Sequence, residues 1–433
     1  MSIAHYACGS PEHGYSRRRF LREAFSGIAA GGAIAGGLGS LTVGSVAEQL
    51  KSQDMRVVVF NMHGGLSQLE SWDPKPGTKT GGPCRSIPTS VPGTHISELL
   101  PFTAKQMHHL CLMRGVNTAE DDHGKGTYLM LTGRRQSAGA EYPQIGAVAA
   151  RLLNDENRGL PGHVVVTPNG GGGKGNEAAY LGPKYSSISL GGTKPPPNTA
   201  KPDAINDEAE SRRHAFRRHI NQEFLLKRRT AITDAYTHSY EQALRLMERK
   251  DVFDISKESA ADQDKYGKHD FGRQCLMARR LLENGVSFVQ VTHANYDTHS
   301  ENFIFHIEQM GEFDQSFATF VADLADRGLL EKTLVVVLSE FGRTPNINLY
   351  YGRDHWSKAW SVLMAGGKLA RGAVFGKTND EGTEVVDGQV DHGALFHTYL
   401  RAVGVDSSQT IAVDGRELPI ADPAAAPIWK VLT

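Results

Sequence analysis

Thr333-Leu334-Val335-Val336-Val337-Leu338 runs into Ser339-Glu340-Phe341-Gly342-Arg343-Thr344-Pro345, then Gly352-Arg353-Asp354-His355-Trp356-Ser357-Lys358, and an apolar run returns at Trp360-Ser361-Val362-Leu363-Met364. The first six residues are continuous and mostly β-branched, the pattern of a strand buried on both faces of a parallel sheet. The apolar run at 360–364 predicts a second strand, so the residues between form a polar crest. Ligands of open α/β sheets collect beyond the carboxyl ends of strands, which places Glu340, Asp354 and His355 where a site is expected.

The pattern repeats outward from there. Arg56-Val57-Val58-Val59-Phe60-Asn61 reads as the first strand and ends at Met62-His63-Gly64-Gly65, where the glycines would let backbone come close to a bound group. Leu110-Cys111-Leu112-Met113 is a short buried strand leading to Asp121-Asp122-His123-Gly124-Lys125-Gly126-Thr127 and a helical run that ends at Leu131-Thr132-Gly133-Arg134. A polar crest at a helix N-terminus is a ready anion site. Residues 143–153 predict a helix, while residues 162–167 and 286–291 predict strands, the last ending at Asp297-Thr298-His299. Ile307, Met310, Phe313, Phe317, Val321 and Leu324 form the apolar stripe of a further helix. The alternation predicts an α/β fold, one central, mostly parallel sheet with helices on both faces, and residues 202–283 as a helical insertion. Gly173-Lys174 is not a phosphate loop, because Pro168 stands where its first glycine belongs and Gly175 where Ser or Thr is needed.

At 433 residues and 39% hydrophobic the chain has ample core, and a net charge of −1 argues against a nucleic-acid or membrane-surface partner through bulk electrostatics. Ser16-Arg17-Arg18-Arg19-Phe20-Leu21 and the Gly/Ala-rich run after it match a twin-arginine export signal, with Ser45-Val46-Ala47 as its cleavage site. The expected division is therefore a signal at residues 1–47 and one domain at 48–433, with no stable membrane span after cleavage and a periplasmic or other extracytoplasmic location. An uncleaved anchor is the other reading of the same residues. Cys84, Cys111 and Cys275 remain in the mature chain, an odd number without metal-site spacing.

Four strand ends thus carry polar residues: His63; His123 with Asp121 and Asp122; Asp297 with His299; and Glu340 with Asp354 and His355. Carboxylates and imidazoles from separate strand ends are what a divalent ion such as zinc, manganese or calcium requires. Lys125, Arg343 and Lys358 are candidates for holding an anionic group. Each also has a plain structural reading: Asp297 as a helix cap, and Asp354 as an ion-pair partner of Arg343 or Arg353.

The Val-rich first strand, the Thr132-Gly133-Arg134 motif and the late run from Leu329 to Glu340 resemble the alkaline phosphatase and sulfatase superfamily. Met62–Gln68, Asp73-Pro74-Lys75-Pro76-Gly77, Ser339–Pro345 and Gly352–Trp356 are similar to a bacterial family within it that is abundant in planctomycete-like bacteria and usually exported by the twin-arginine route. The resemblance implies metal ligands at His63, Asp297, His299, Glu340 and His355, catalytic roles for His123, Thr127 and Lys358, and anion or substrate contacts for Lys125, Arg343 and Asp354. The substrate it implies is an anionic ester or a sulfated glycan. Sulfatases carry Cys or Ser at the nucleophile position and Arg four residues later, where this chain has His123 and Thr127. An alkoxide would have to come from Thr118 or Thr127, and His123 would serve as ligand or direct nucleophile. Two readings follow: a metal-dependent sulfate or phosphate ester hydrolase, or a binding or envelope-assembly protein on the same fold.

Overall fold

A computed structural model describes residues 51, 53–168, 176–193, 204–227, 237, 240–241, 244–413 and 415–433. The stretch expected to be an export signal with its cleavage site, the glycine-rich run at 169–175 and the Lys194-Pro195-Pro196-Pro197 boundary lie outside them. Eight strands form the central sheet: β1 (Arg56–Met62), β2 (Leu110–Val116), β3 (His163–Thr167), β4 (Ile188–Gly191), β5 (Phe288–His293), β6 (Thr333–Leu338), β7 (Trp360–Ala365) and β8 (Ala373–Phe375). Their order is β8-β2-β7-β6-β1-β5-β3-β4. Only β7 runs against its neighbours, so the sheet is mostly parallel.

β1, β6 and β7 are buried along their whole lengths, which is why they read as unbroken apolar runs rather than alternating ones. Successive side chains of a strand face opposite sides. On one side Phe60 meets Phe271, Phe317 and Phe320 edge to face, with ring centroids 6.1, 5.4 and 5.1 Å away. Those rings come from two helices of this face, Asp270–Glu283 and Asn302–Asp326. Ile145–Leu153 packs against β1, β3 and β5 outside that aromatic cluster and so covers the other face. In the stripe predicted on Asn302–Asp326, Met310, Phe313, Phe317, Val321 and Leu324 are buried, but Ile307 is exposed. Residues 47–433 form one compact unit, and no described helix is long and apolar enough to cross a membrane.

The crest is built at the carboxyl edge of the sheet. Because β7 is antiparallel to β6, the chain leaves the sheet at Leu338 and re-enters at Trp360 on the same edge. Between them Gly342–Arg343 pairs with His355–Trp356 as a short antiparallel hairpin. One buried ion pair anchors that hairpin. Arg353 has no exposed surface and donates to Glu70 at 2.8 Å, to Thr80 O at 2.7 Å, and to Thr344 O and Pro345 O at 3.0 and 2.6 Å. Burial is the largest influence on the Glu70 carboxyl and raises it, but the charge and hydrogen bond of Arg353, with His306 and Ser67, together outweigh it and the net shift is downward. Asn302 donates to the other Glu70 oxygen at 2.9 Å.

Removing one partner of a buried pair leaves an uncompensated charge. Glu70→Ala should therefore lower unfolding free energy by about 3–5 kcal/mol in chemical denaturation. The double variant Glu70→Ala/Arg353→Met should lose less than Arg353→Met and Glu70→Ala added together.

Candidate metal and anion site

Three segments of the crest bring histidines around one carboxylate. Asp297, from the loop after β5, has His355 Nε2 3.2 Å from Oδ1, His299 Nε2 3.1 Å from Oδ1, and His123 Nε2 3.4 Å from Oδ2. One donor atom each of His123, Asp297 and His355 lie within 4.8 Å of one another, a group that could hold a metal ion. His299 Nε2 is 3.0 Å from His355 Nε2.

The other ring nitrogens settle the tautomers. His355 Nδ1 is 2.7 Å from the Asp121 carbonyl oxygen, an acceptor only, so that nitrogen carries hydrogen. His299 Nδ1 is 2.7 Å from Asp354 Oδ1, and His123 Nδ1 is 2.6 Å from Glu340 Oε1, each donating to a carboxylate. In their neutral forms all three rings therefore turn Nε2 lone pairs toward Asp297. Lone pairs and a carboxylate facing one another at 3.0–3.4 Å need a cation between them, either protons or a metal ion. Imidazoles held through Nδ1 by carboxylates or carbonyls are the usual support of a metal-ligating histidine.

Asp297 is kept ready by a buried arginine. Arg343 has no exposed surface, and it donates to Asp297 Oδ1 at 2.7 Å, to Gly65 O at 2.9 Å, to Arg353 O at 3.0 Å and to Gly64 O. Burial works against the Asp297 charge, but the Arg343 hydrogen bond and charge, with His355 and His123, hold the carboxyl at about 2.

Local sequence explains how the loops come so close. Asp122 caps the helix His123–Thr132 by accepting from Lys125 N at 2.9 Å, which sets His123 at its first position. Gly126 lets that helix settle on Glu340, since a Cβ there would lie 2.9 Å from the Glu340 carbonyl oxygen. Gly64, at φ +118°, has the Asp297 backbone nitrogen 2.5 Å from where its Cβ would be. Ala119, Asn295, Glu301 and Tyr351 all hold positive φ in loops around the cluster, a concentration of backbone strain typical of functional sites.

Several sequence expectations change. Arg343 is not a substrate contact: it lies under the cluster with its donors spent on Asp297 and three carbonyls. Glu340 is not among the converging donors; it is buried behind His123 and accepts from Gly64 N at 2.9 Å as well as from the ring. Asp354 pairs with His299 rather than with either arginine. Asp297 does not cap the following helix, which begins at Asn302 after Glu301. The paired glycines 64 and 65 admit protein, not ligand: the Gly65 and Leu66 amides donate to Ser339 Oγ at 3.1 and 3.0 Å. His123, placed by resemblance at the nucleophile position, stands among the candidate ligands. Lys358 is exposed with its ammonium 5.3 Å from the Trp356 ring centre.

Beside the cluster is a cleft of about 930 Å³ whose walls include His63, His123, Lys125 and Thr127. His63 is exposed, its ring parallel to that of His123 with centroids 6.0 Å apart. Phe341 offers no metal ligand. Its fully buried ring lies 4.3 Å from the His355 ring and 4.8 Å from that of His123, holding both in place.

The chain belongs to the family described as Protein of unknown function (DUF1501), matched over residues 54–432. No curated protein matches it in sequence. Solved structures similar to it include a protein in the alkaline phosphatase superfamily from Vibrio parahaemolyticus, at 11% identity and TM-score 0.36, covering 85% of this chain and 78% of that one. The alkaline phosphatase from the Antarctic bacterium TAB5 is 13% identical with TM-score 0.36, covering 81% and 98%. The PsFucS1 sulfatase from Pseudoalteromonas sp. is 14% identical with TM-score 0.35, covering 83% and 72%.

Two outcomes test this geometry. Glu340→Gln, which weakens the hold on His123 without touching the converging atoms, should lower zinc affinity about 10–100-fold in a competition titration. In chelator, the Asp297 carboxylate stabilises the fold because its folded value of about 2 lies below its ordinary value of 3.8. The stability difference between wild type and Asp297→Asn should be full at neutral pH, shrink as pH falls below 3.8 and vanish below about 2, as read by denaturation at each pH.

Proposed function

We propose that this protein is an exported, metal-dependent hydrolase of sulfate or phosphate esters. The observation that carries the reading is the convergence of His123, His299 and His355 Nε2 on Asp297, each ring pinned by an acceptor at Nδ1. The donor set of imidazole nitrogen and carboxylate oxygen suits zinc or manganese and is poor for calcium, which takes oxygen ligands. When bound, such an ion supplies Lewis acidity toward an ester oxygen.

The chain's own residues do the rest. Arg343 keeps Asp297 ionised, and Glu340, Asp354 and the Asp121 carbonyl keep three imidazoles in the tautomer that offers a lone pair. Lys125, exposed in the first turn of its helix, offers positive charge to an ester anion in the cleft. Thr127 is one turn beyond His123 on that helix and lines the same cleft, so its hydroxyl is the one we assign to the reacting face. Thiol chemistry has no candidate among the described residues: Cys84, Cys111 and Cys275 are buried, and burial pushes each thiol upward. Export rests on the paired Arg17-Arg18 and the small-residue site at 45–47.

A second reading, a binding or envelope-assembly protein on this fold, is favoured by one observation. The Ser339 hydroxyl at the end of β6 is buried and committed to Met62 O at 2.6 Å and to two backbone amides, so it is no nucleophile. Elemental analysis and assay with nitrophenyl sulfate and nitrophenyl phosphate separate the two. The hydrolase reading expects near-stoichiometric zinc or manganese, turnover abolished with the metal in Asp297→Ala, and turnover lost with metal retained in Thr127→Ala. Bound metal without turnover of any ester would move the assignment to the binding protein.

A further inference from the structure

We infer that the cleft beside the metal cluster is one end of a groove that receives an oligosaccharide chain, its remote rings lying against Tyr142 and Tyr180. The inference rests on the ester-hydrolase reading and names the body of the substrate. The cluster cleft shares Tyr128, Gln136 and Gln144 with a neighbouring cavity of about 300 Å³. That cavity in turn shares Glu141 and Tyr142 with a third of about 750 Å³, which extends to Tyr180 and Arg416. The shared lining residues place the three cavities next to one another, with His123 in the wall of the first.

Its lining has the chemistry of sugar recognition. Sugar rings present apolar C–H faces to aromatic rings and hydroxyls to amides and phenols, and tyrosine offers both an apolar face and a polar tip. Tyr128, Tyr142 and Tyr180 are half-buried, as wall residues of an open groove are, and burial pushes the phenols of Tyr128 and Tyr180 upward, so they stay neutral donors. Arg134, from the Leu131-Thr132-Gly133-Arg134 motif, stacks its guanidinium 4.3 Å from the Tyr142 ring centre and ties down the floor by donating to Pro419 O at 3.0 Å and to Ala421 O. Tyr142 is further fixed by its amide, which donates to the Tyr128 hydroxyl at 3.0 Å. Ala179, beside Tyr180 in the wall, holds φ +43°, a strained conformation that sets the loop's course.

Charge sets the kind of chain. Lys125 stands at the cluster end, and Arg416 and the committed Arg134 at the far end, but Asp122 lies beside Lys125, and Glu141 and Glu177 line the walls beyond it. A polymer with a phosphate on every unit needs a continuous basic track, which these residues do not make. The groove fits a glycan with an anionic ester at the cluster and largely neutral rings beyond it.

The test is binding of a size ladder of sulfated and unsulfated oligosaccharides, from disaccharide to octasaccharide, to the full mature chain. The result expected is affinity that rises about tenfold or more with length. That increment should disappear in Tyr180→Ala/Arg416→Ala and in Tyr142→Ala, while disaccharide binding and zinc content stay at wild-type levels. Arg416 is exposed, so Arg416→Ala alone keeps the test open if a tyrosine variant misfolds. Affinity independent of length, a length increment that survives in these variants, or no binding across the ladder would overturn the inference. A length increment in protein that neither holds metal nor turns over esters would leave the groove standing and remove the hydrolase reading.

Discussion

A single guanidinium with no access to water joins the parts of this crest. Arg343 reaches the carbonyls of Gly64 and Gly65 at the end of β1, the carbonyl of Arg353 across the hairpin, and the carboxylate of Asp297 after β5. Burial pulls its value down, while Asp297, Glu340 and Asp354 pull the other way. A buried cation of this kind cannot be left unpaired without large cost, so the loops that satisfy it have little freedom to separate. The geometry of the histidines follows from that constraint, because each is carried on one of those loops or on a helix packed against them.

Around this centre the structure divides labour between contact and support. The atoms that converge come from His123, Asp297, His299 and His355, while Glu340, Asp354, the Asp121 carbonyl and the Phe341 ring fix ring orientation. Asp122 and Gly126 act one step further out, by setting where the His123 helix starts and how closely it lies on Glu340. Pre-organisation of this kind is what allows a polar cluster to hold four groups that would otherwise repel one another.

Much of the architecture was legible because burial on both faces writes itself as unbroken apolar runs. Val57–Phe60, Thr333–Leu338 and Trp360–Met364 all fall within strands of the central sheet. The run at 286–291 was placed two residues early, since Val286 and Ser287 are buried like a strand but precede its ladder. Which polar residues gather at the crest was also readable, because they follow the strands directly. Who pairs with whom was not. Glu70 finds Arg353 at a separation of 283 residues and His123 finds Glu340 at 217, and local pattern carries no information over such distances. Arginine is likewise ambiguous in sequence, and only burial distinguishes Arg343 as a support from Lys125 as an exposed charge.

The dispersal of the cluster along the chain has a consequence for how the protein is made. His355 and Asp297 are 58 residues apart, and His123 lies far upstream on another loop. An unfolded chain therefore offers at most the neighbouring Asp297 and His299 with single donors elsewhere, and an ion held by the whole cluster would favour the native state. Such an ion adds stability by mass action, about 2.7 kcal/mol at a hundredfold excess over its dissociation constant. Availability of the ion would then set how long each copy survives proteases, so that cellular abundance would itself follow supply of the ion.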